Sequence, residues 1–461
     1  MLDENSSPSR GGSPASQPLA PAAPRFRDAF LFWLKLGFIS FGGPAGQIAL
    51  MHEELVVARR WISERRFLHA LNYCTFLPGP EAQQLATYIG WLMHRTSGGI
   101  VAGALFVLPS LAILIALSWI YLRFGNVPVV ASIFYGIKPA VIAIVLHAAW
   151  RLGKRALASN LHRAIAAAAF IAISVFALPF PLIVAAAALI GVAAQRFTPQ
   201  RIEEPARRGD AETRDSAALI DDDTPTPEHA RPNRARSMGL VVIGALLWLL
   251  PMAALVAAQG GNGPFVQMGW FFTKAALVTF GGAYAVLPYV YQAAVAHYGW
   301  LSAAQMIDGL ALGETTPGPL IMVVAFVGFL GGWHAAPFGP DALFAAGASA
   351  AIVATWFTFL PSFLFILIGG PLVESTRDTP RLAAPLAAIS AAVVGVISTL
   401  ALVFGRQVLW PHGLDAPLDL AAAAITAVAA LLLFRFKIGV VPLIAACAIA
   451  GIAIESLRRA I

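Results

Sequence analysis

One pattern occurs twice in this chain, and the repetition limits the architecture more than any other feature. The first copy runs from Lys35 through Ser40-Phe41-Gly42-Gly43 and Trp61-Ile62-Ser63 to Pro78-Gly79-Pro80. The second runs from Lys274 through Thr279-Phe280-Gly281-Gly282 and Trp300-Leu301-Ser302 to Pro317-Gly318-Pro319, each pair about 239 residues apart. A lysine, a Phe-Gly-Gly, a Trp-x-Ser and a Pro-Gly-Pro at one offset identify a two-fold repeat. Beyond a gap of about 13 residues, Leu108-Pro109-Ser110 aligns with Leu360-Pro361-Ser362, and Gly136 to Val141 with Ala388 to Val393.

Apolar residues make up 58% of the chain and charged ones 12%, about half the charge of a soluble domain. Apolar runs of membrane-crossing length recur at Ile100 to Leu122, Leu240 to Ala258 and Ala342 to Ile368, each able to cross about 30 Å of hydrocarbon. The expected fold is an all-α polytopic membrane protein; continuous apolar runs exclude a β-barrel. Cys74 and Cys447 lie in different halves and form neither a disulfide framework nor a metal site. The net charge of +7 implies no nucleic-acid partner, because the basic residues sit between apolar runs, where they orient helices.

Residues 1–28 are rich in Ser, Pro, Gly and Ala and are expected to form a disordered cytoplasmic tail without a cleavable signal peptide. The first repeat covers 29–195, and a charged, flexible cytoplasmic linker 196–237. An extra transmembrane helix at 238–258 precedes the second repeat at 259–461. In the first half, apolar stretches from Ala29 to about Val57 and from Phe67 to His94 are broken by Gly42-Gly43-Pro44 and by Pro78-Gly79-Pro80. Such stretches either cross the membrane or dip in and return. If they return, nearly all the Lys/Arg clusters fall on one side, and the extra helix starts the second half from the other. The charge pattern therefore favours inverted repeats with interrupted helices, whose substrate sites lie where broken elements meet near the midplane.

The residues able to carry chemistry cluster at those breaks. Lys35 and Lys274 lie at equivalent places in apolar stretches; they read either as a symmetric pair of charges facing an anion path or as snorkelling anchors. Lys138 stands deeper in its span, with Ser390 as counterpart. Gly42, Gly43, Gly281 and Gly282 permit a reversal, and a half-helix starting there offers its positive end to an oxyanion. After Pro78, Gly79 and Pro80, residues Glu81, Gln84 and Tyr88 share one helical face, and Gln83 and Thr87 the next. In the second half Glu314 precedes Pro317, Gly318 and Pro319, so the acid has changed sides of the motif. Glu53 and Glu54 read as ion-pair partners of the nearby arginines. No cofactor is expected, and no Walker-type phosphate loop is present to drive transport with ATP.

Phe41-Gly42-Gly43-Pro44, the run from Leu77 to Gly90 containing Pro-Gly-Pro-Glu-Ala-Gln-Gln, Phe280-Gly281-Gly282 and Thr316-Pro317-Gly318-Pro319 together resemble the chromate ion transporter family in its long, two-domain form. The resemblance spans about residues 26–195 and 240–455. It implies a protein of the bacterial inner membrane that exports chromate and confers resistance, with the oxyanion and the lipid bilayer as partners and a homodimer admitted. A same-fold transporter of another oxyanion such as sulfate remains the alternative. A membrane-embedded enzyme fits less well, because its site would be needed once and not in duplicate.

Overall fold

The structure is a computed structural model that describes residues 21–197, 218–222, 224–225, 227–280, 282–375 and 383–460. Most of the tail and linker, together with Gly281, Arg377 and Arg381, thus lie outside the described residues. Each half opens with two helical hairpins. In the first half α1 (Phe26–Ile39) ends at Ser40, and the chain reverses through Gly42 at φ 89° into α2 (Gly43–His52). A π-helical turn, Glu53–Ala58, prolongs α2. The Trp61 ring then packs on Phe32 of α1 at 5.0 Å, and Arg59 lies over the same ring, so α2 has come back along α1.

Helix α3 (Glu64–Phe76), capped by the Ser63 hydroxyl, leads to Pro78-Gly79-Pro80 and α4 (Glu81–Phe124). A straight helix of 44 residues would reach about 66 Å, twice the hydrocarbon thickness. The chain folds back instead at His94 and Arg95, where Arg95 takes φ 57°. Any Cβ on Gly90 would stand 2.5 Å from Ala102 Cβ, and Gly103 packs against Thr87. Small residues thus let an inner arm (81–93) lie directly on an outer arm (96–124).

The second half repeats this plan. α9 (Pro264–Val278) and α10 (Ala283–Tyr291), again extended by a π-helical turn at Gln292–His297, form one hairpin. α11 (Ala303–Thr315), Pro317-Gly318-Pro319 and α12 (Val323–Ala335) form the other, followed by α13 (Leu343–Ser375). The outer arm of α4 and α13 are equivalent helices, and they run antiparallel. Trp119 meets Phe344 at 6.2 Å, whereas Gly99 lies against Leu367 and Gly103 against Phe363.

The remaining helices are α5 (Pro128–Ala156), α6 (Asn160–Ser174), α7 (Phe180–Phe197), α8 (Arg234–Gln259), α14 (Ala383–Leu409), α15 (Leu420–Phe434) and α16 (Val440–Ala460). α5 packs with α14, α15 and α16, and α14 also with α6 and α7. Glycines at the crossings, Gly136 against Gly451 and Gly395 against Ala166, bring the backbones together. Among the described residues six helices are long and apolar enough to cross a membrane: Glu81–Phe124, Pro128–Ala156, Arg234–Gln259, Pro340–Pro371, Ala384–Leu409 and Val440–Arg458. The extra helix α8 has no counterpart in the first half and lies against α9 and α13 with an exposed apolar outer face.

The described part of the linker is docked, in contrast to the flexible connection expected. Leu219 and Ile220 donate their amides to Arg60 and Trp61, Ser63 donates back to Ile220, and the Ser63 hydroxyl donates to Asp222 at 2.7 Å. Arg66 donates to the Thr224 carbonyl. Further on, His229 bonds the Trp91 carbonyl at 3.0 Å and Arg236 donates to Thr96. Pro24, at the end of the tail, accepts from His94. Pro24, the turn at Arg60 to Ser63, the reversal at His94 and Arg95 and the described part of the linker therefore share one end of the bundle. Tyr135, Asp419 and Arg458, joined by hydrogen bonds, mark the opposite end.

Candidate anion path at the hairpin tips

The tips of the hairpins meet in the middle of the protein, and they meet reciprocally. The Gly79 amide donates to the Thr279 carbonyl at 2.8 Å, and the Gly318 amide donates to the Ser40 carbonyl at 2.8 Å. Gly79 and Gly318 occupy equivalent positions, as do Ser40 and Thr279. Each Pro-Gly-Pro also rests on the other half's Leu-Pro-Ser helix: Gly79 against Ser362, Gly318 against Ser110. Both glycines have positive φ, 127° and 107°, where a Cβ is strained. A side chain at either place would also collide with the facing serine. The prolines explain why the chain breaks here; the freed backbone groups find partners across the repeat boundary, as burial requires.

Polar side chains surround this junction. Gln47, on α2, is buried and donates its amide to the carbonyls of both Ser40 and Gly318. Gln84 donates to the Pro78 carbonyl at 2.8 Å, and Gln83 to the Thr87 hydroxyl at 2.9 Å. The side-chain oxygens of Gln47, Gln83 and Gln84 and the hydroxyl of Ser362 are buried without a partner inside the protein. Such atoms are rare in a finished core, and four of them lie around this one junction. Tyr88 is buried between the rings of Tyr73 and Trp91, so it supports the α4 inner arm and its ring is packed in the core.

Glu81 and Glu314 flank the same junction. A Glu81 carboxyl oxygen lies 3.9 Å from where a Cβ on Gly282 would stand, at the N-terminus of α10, whose positive end favours it. Glu314 is buried and accepts a hydrogen bond from the Tyr284 hydroxyl. Arg151 of α5 acts electrostatically on Glu314 and Tyr284, and Arg155 on Glu81. These arginines read in the sequence only as orienting charges. The two halves differ here: Gly282 is buried while Gly42 is exposed and Gly43 half-buried.

Other candidates sit elsewhere. Lys35 and Lys274 are both exposed, Lys35 beside exposed Leu31, Phe38 and Ile39 and Lys274 beside exposed Trp270 and Leu277. Lys138 pairs at 3.4 Å with Asp308 of α11, a residue the motif reading passed over. Its signal was available: a second acid inside the apolar stretch that holds Glu314. Glu54 pairs with Arg59 at 3.3 Å. Both cysteines are free and buried, and no group of side chains among the described residues could hold a metal.

No solved structure matches this chain. A chromate transport protein of Cupriavidus metallidurans is 29% identical over 411 residues, which cover 89% of this chain and 88% of that protein. One from Pseudomonas aeruginosa is 30% identical over 457 residues, 97% of each. A probable chromate transport protein of Synechococcus elongatus is 29% identical over 378 residues, 82% of this chain and 84% of the relative. The chromate transporter family model matches twice, at residues 27–192 and 266–452, so that each structural half carries one match. The chain belongs to the chromate transporter family, in the form that contains two copies of its unit.

Proposed function

We propose that this chain is a secondary transporter that exports chromate through the junction of its hairpin tips. The reciprocal pair of bonds, Gly79 to Thr279 and Gly318 to Ser40, carries the reading: it joins two equivalent halves at one place, lined with buried polar groups. The antiparallel course of the α4 outer arm and α13 supports two halves inverted in the membrane, the arrangement that alternating access uses. In this reading the N-terminus and linker face the cytoplasm of a bacterial inner membrane. Helix N-termini at the breaks and the amide hydrogen that Gln84 has left beside its bond to Pro78 hold the oxyanion, while Glu81 and Glu314, of like charge, keep it from being trapped.

Chromate is a tetrahedral dianion of the same shape and charge as sulfate. Moving one charge through 100 mV is worth about 2.3 kcal/mol, so expelling a dianion from an interior-negative cell yields about 4.6 kcal/mol. The membrane potential supplies the drive for export. Purified protein in liposomes, loaded with chromate and diluted into labelled chromate, should exchange it across the membrane. An imposed potential negative on the side of the loaded anion should accelerate its exit. Exchange of sulfate with chromate inert would reassign the substrate, and inertness toward both would overturn the transport reading.

A further inference from the structure

Asp308 and Lys138 form a buried ion pair between the halves that lies apart from the hairpin tips. Asp308 is on α11 of the second half and Lys138 on α5 of the first. One carboxyl oxygen, Oδ2, takes both interactions, Lys138 Nζ at 3.4 Å and the Tyr121 hydroxyl at 2.8 Å. The other, Oδ1, is buried without a partner. The carboxylate is 4% exposed and the lysine side chain 29%. A charge pair held only for stability would satisfy both oxygens, because burying ions costs more than an incomplete pair returns. Neither Lys138 nor Asp308 is matched in the repeat: Ser390 and His69 stand at those positions. α11 packs against α4, α5, α12, α14 and α16, and only Lys138 and Tyr121 among their charged or titratable groups act on Asp308.

We propose that Lys138 is an oxyanion ligand held in reserve by Asp308, and that a proton arriving on Asp308 releases it. This rests on the transport reading above. With Asp308 ionised, Lys138 is neutralised by the carboxylate. A proton transferred to the free Oδ1 removes that charge, and the lysine, which is the more exposed partner, becomes an unpaired cation within the protein. The dianion takes the place of the carboxylate as its counter-ion. Proton and dianion are then bound together and leave together, so one net negative charge moves per cycle in place of two. α11 leads directly into Glu314 and Pro317-Gly318-Pro319, six residues beyond Asp308 along the helix. Loading at the pair is thereby linked to the tip of the same helix.

The test uses the full chain in liposomes with chromate as the probe, reading chromate flux and internal pH in the same vesicles. Wild-type protein should move one proton with each chromate, in the same direction. Asp308→Asn, which imitates the protonated acid, should retain chromate counterflow but move no protons, with a rate that no longer depends on pH. Lys138→Gln should raise the KM for chromate about tenfold, the loss of one charged contact. The double variant Asp308→Asn/Lys138→Gln holds a neutral pair, and should fold even where a single variant does not. It should combine the raised KM with absent proton flux. Proton movement by either Asp308 variant, or an unchanged KM in both Lys138 variants, would overturn the proposal. Net chromate efflux without any wild-type proton flux would overturn it too while leaving the transport reading intact; absence of counterflow in wild type would sink the transport reading itself.

Discussion

The Gly79 amide reaches the Thr279 carbonyl of the other half at 2.8 Å, and the Gly318 amide returns the same bond to Ser40. The same hydrogen bond thus recurs between equivalent residues with the halves exchanged, and it ties each Pro-Gly-Pro tip to the other half. Because the amides are consumed in joining the halves, the tips are first a structural joint, and the unpartnered polar atoms of Gln47, Gln83, Gln84 and Ser362 gather around it.

Gly79→Ala and Gly318→Ala should therefore each be severe. The left-handed conformation alone costs about 1–2 kcal/mol for a residue with a Cβ, and the collision with Ser362 or Ser110 adds to it. Gly239→Ala on α8, where nothing lies within 4 Å of a new Cβ, should leave stability unchanged or slightly raised. Thermal inactivation of detergent-solubilised protein, followed by size-exclusion chromatography, measures the contrast.

Gln84→Leu should lower stability by about 1–3 kcal/mol, the cost of a buried acceptor left alone, since the Pro78 carbonyl loses its side-chain donor. It should also weaken chromate transport per inserted molecule. The equivalent Val323 is apolar and fully buried, so Val323→Leu should affect packing and leave the transport rate of the folded fraction intact. Flux normalised to folded protein separates the two outcomes.

The exposed lysines give a graded prediction. Lys35→Ala and Lys274→Ala should change chromate efflux no more than about twofold, the scale of exposed charge contacts, and less than Lys138→Gln. Efflux from cells at matched membrane levels is the measurement. A loss in either alanine variant as large as that of Lys138→Gln would restore these lysines to the path.

Asp419 offers a pH test outside the membrane-spanning helices. Burial raises its pKa, but the Ala422 amide at 3.0 Å, the Tyr135 hydroxyl at 2.9 Å and Arg458 more than offset this, leaving it below the ordinary value. A depressed carboxylate stabilises the folded form fully above the unfolded value of about 3.9, and that contribution disappears as pH falls through the folded value. Asp419→Ala should cost about 0.5–2 kcal/mol at neutral pH through the lost cap of α15. Its stability should fall less steeply than that of wild type when the pH is taken below 4.

The hairpin tips were legible in the sequence because backbone dictates them: a chain can break inside hydrocarbon only with glycine and proline, and only where it is buried. The repeat and the position of the extra helix followed from spacing alone. The facing of single cations did not. Lys35, Lys138 and Lys274 all stand in apolar stretches, and only packing between helices far apart in sequence decides which is paired. Lys138 and Asp308 are such a case, in opposite halves. The docked linker was hidden for another reason: it is held largely through backbone bonds at Arg60 to Ser63, which leave no residue signature. The reversal at His94 and Arg95 lacks glycine and proline, and it shows only in the small residues that let the arms of α4 touch.

The most direct test of two inverted halves meeting at one path is the side of the membrane on which equivalent turns lie. Single cysteines at Arg65 and Ser302, both exposed, in a background with Cys74 and Cys447 replaced, report it. A membrane-impermeant maleimide added to intact cells should label the Ser302→Cys protein alone, and added to inverted vesicles the Arg65→Cys protein alone. Labelling of both from the same side would contradict the inverted arrangement.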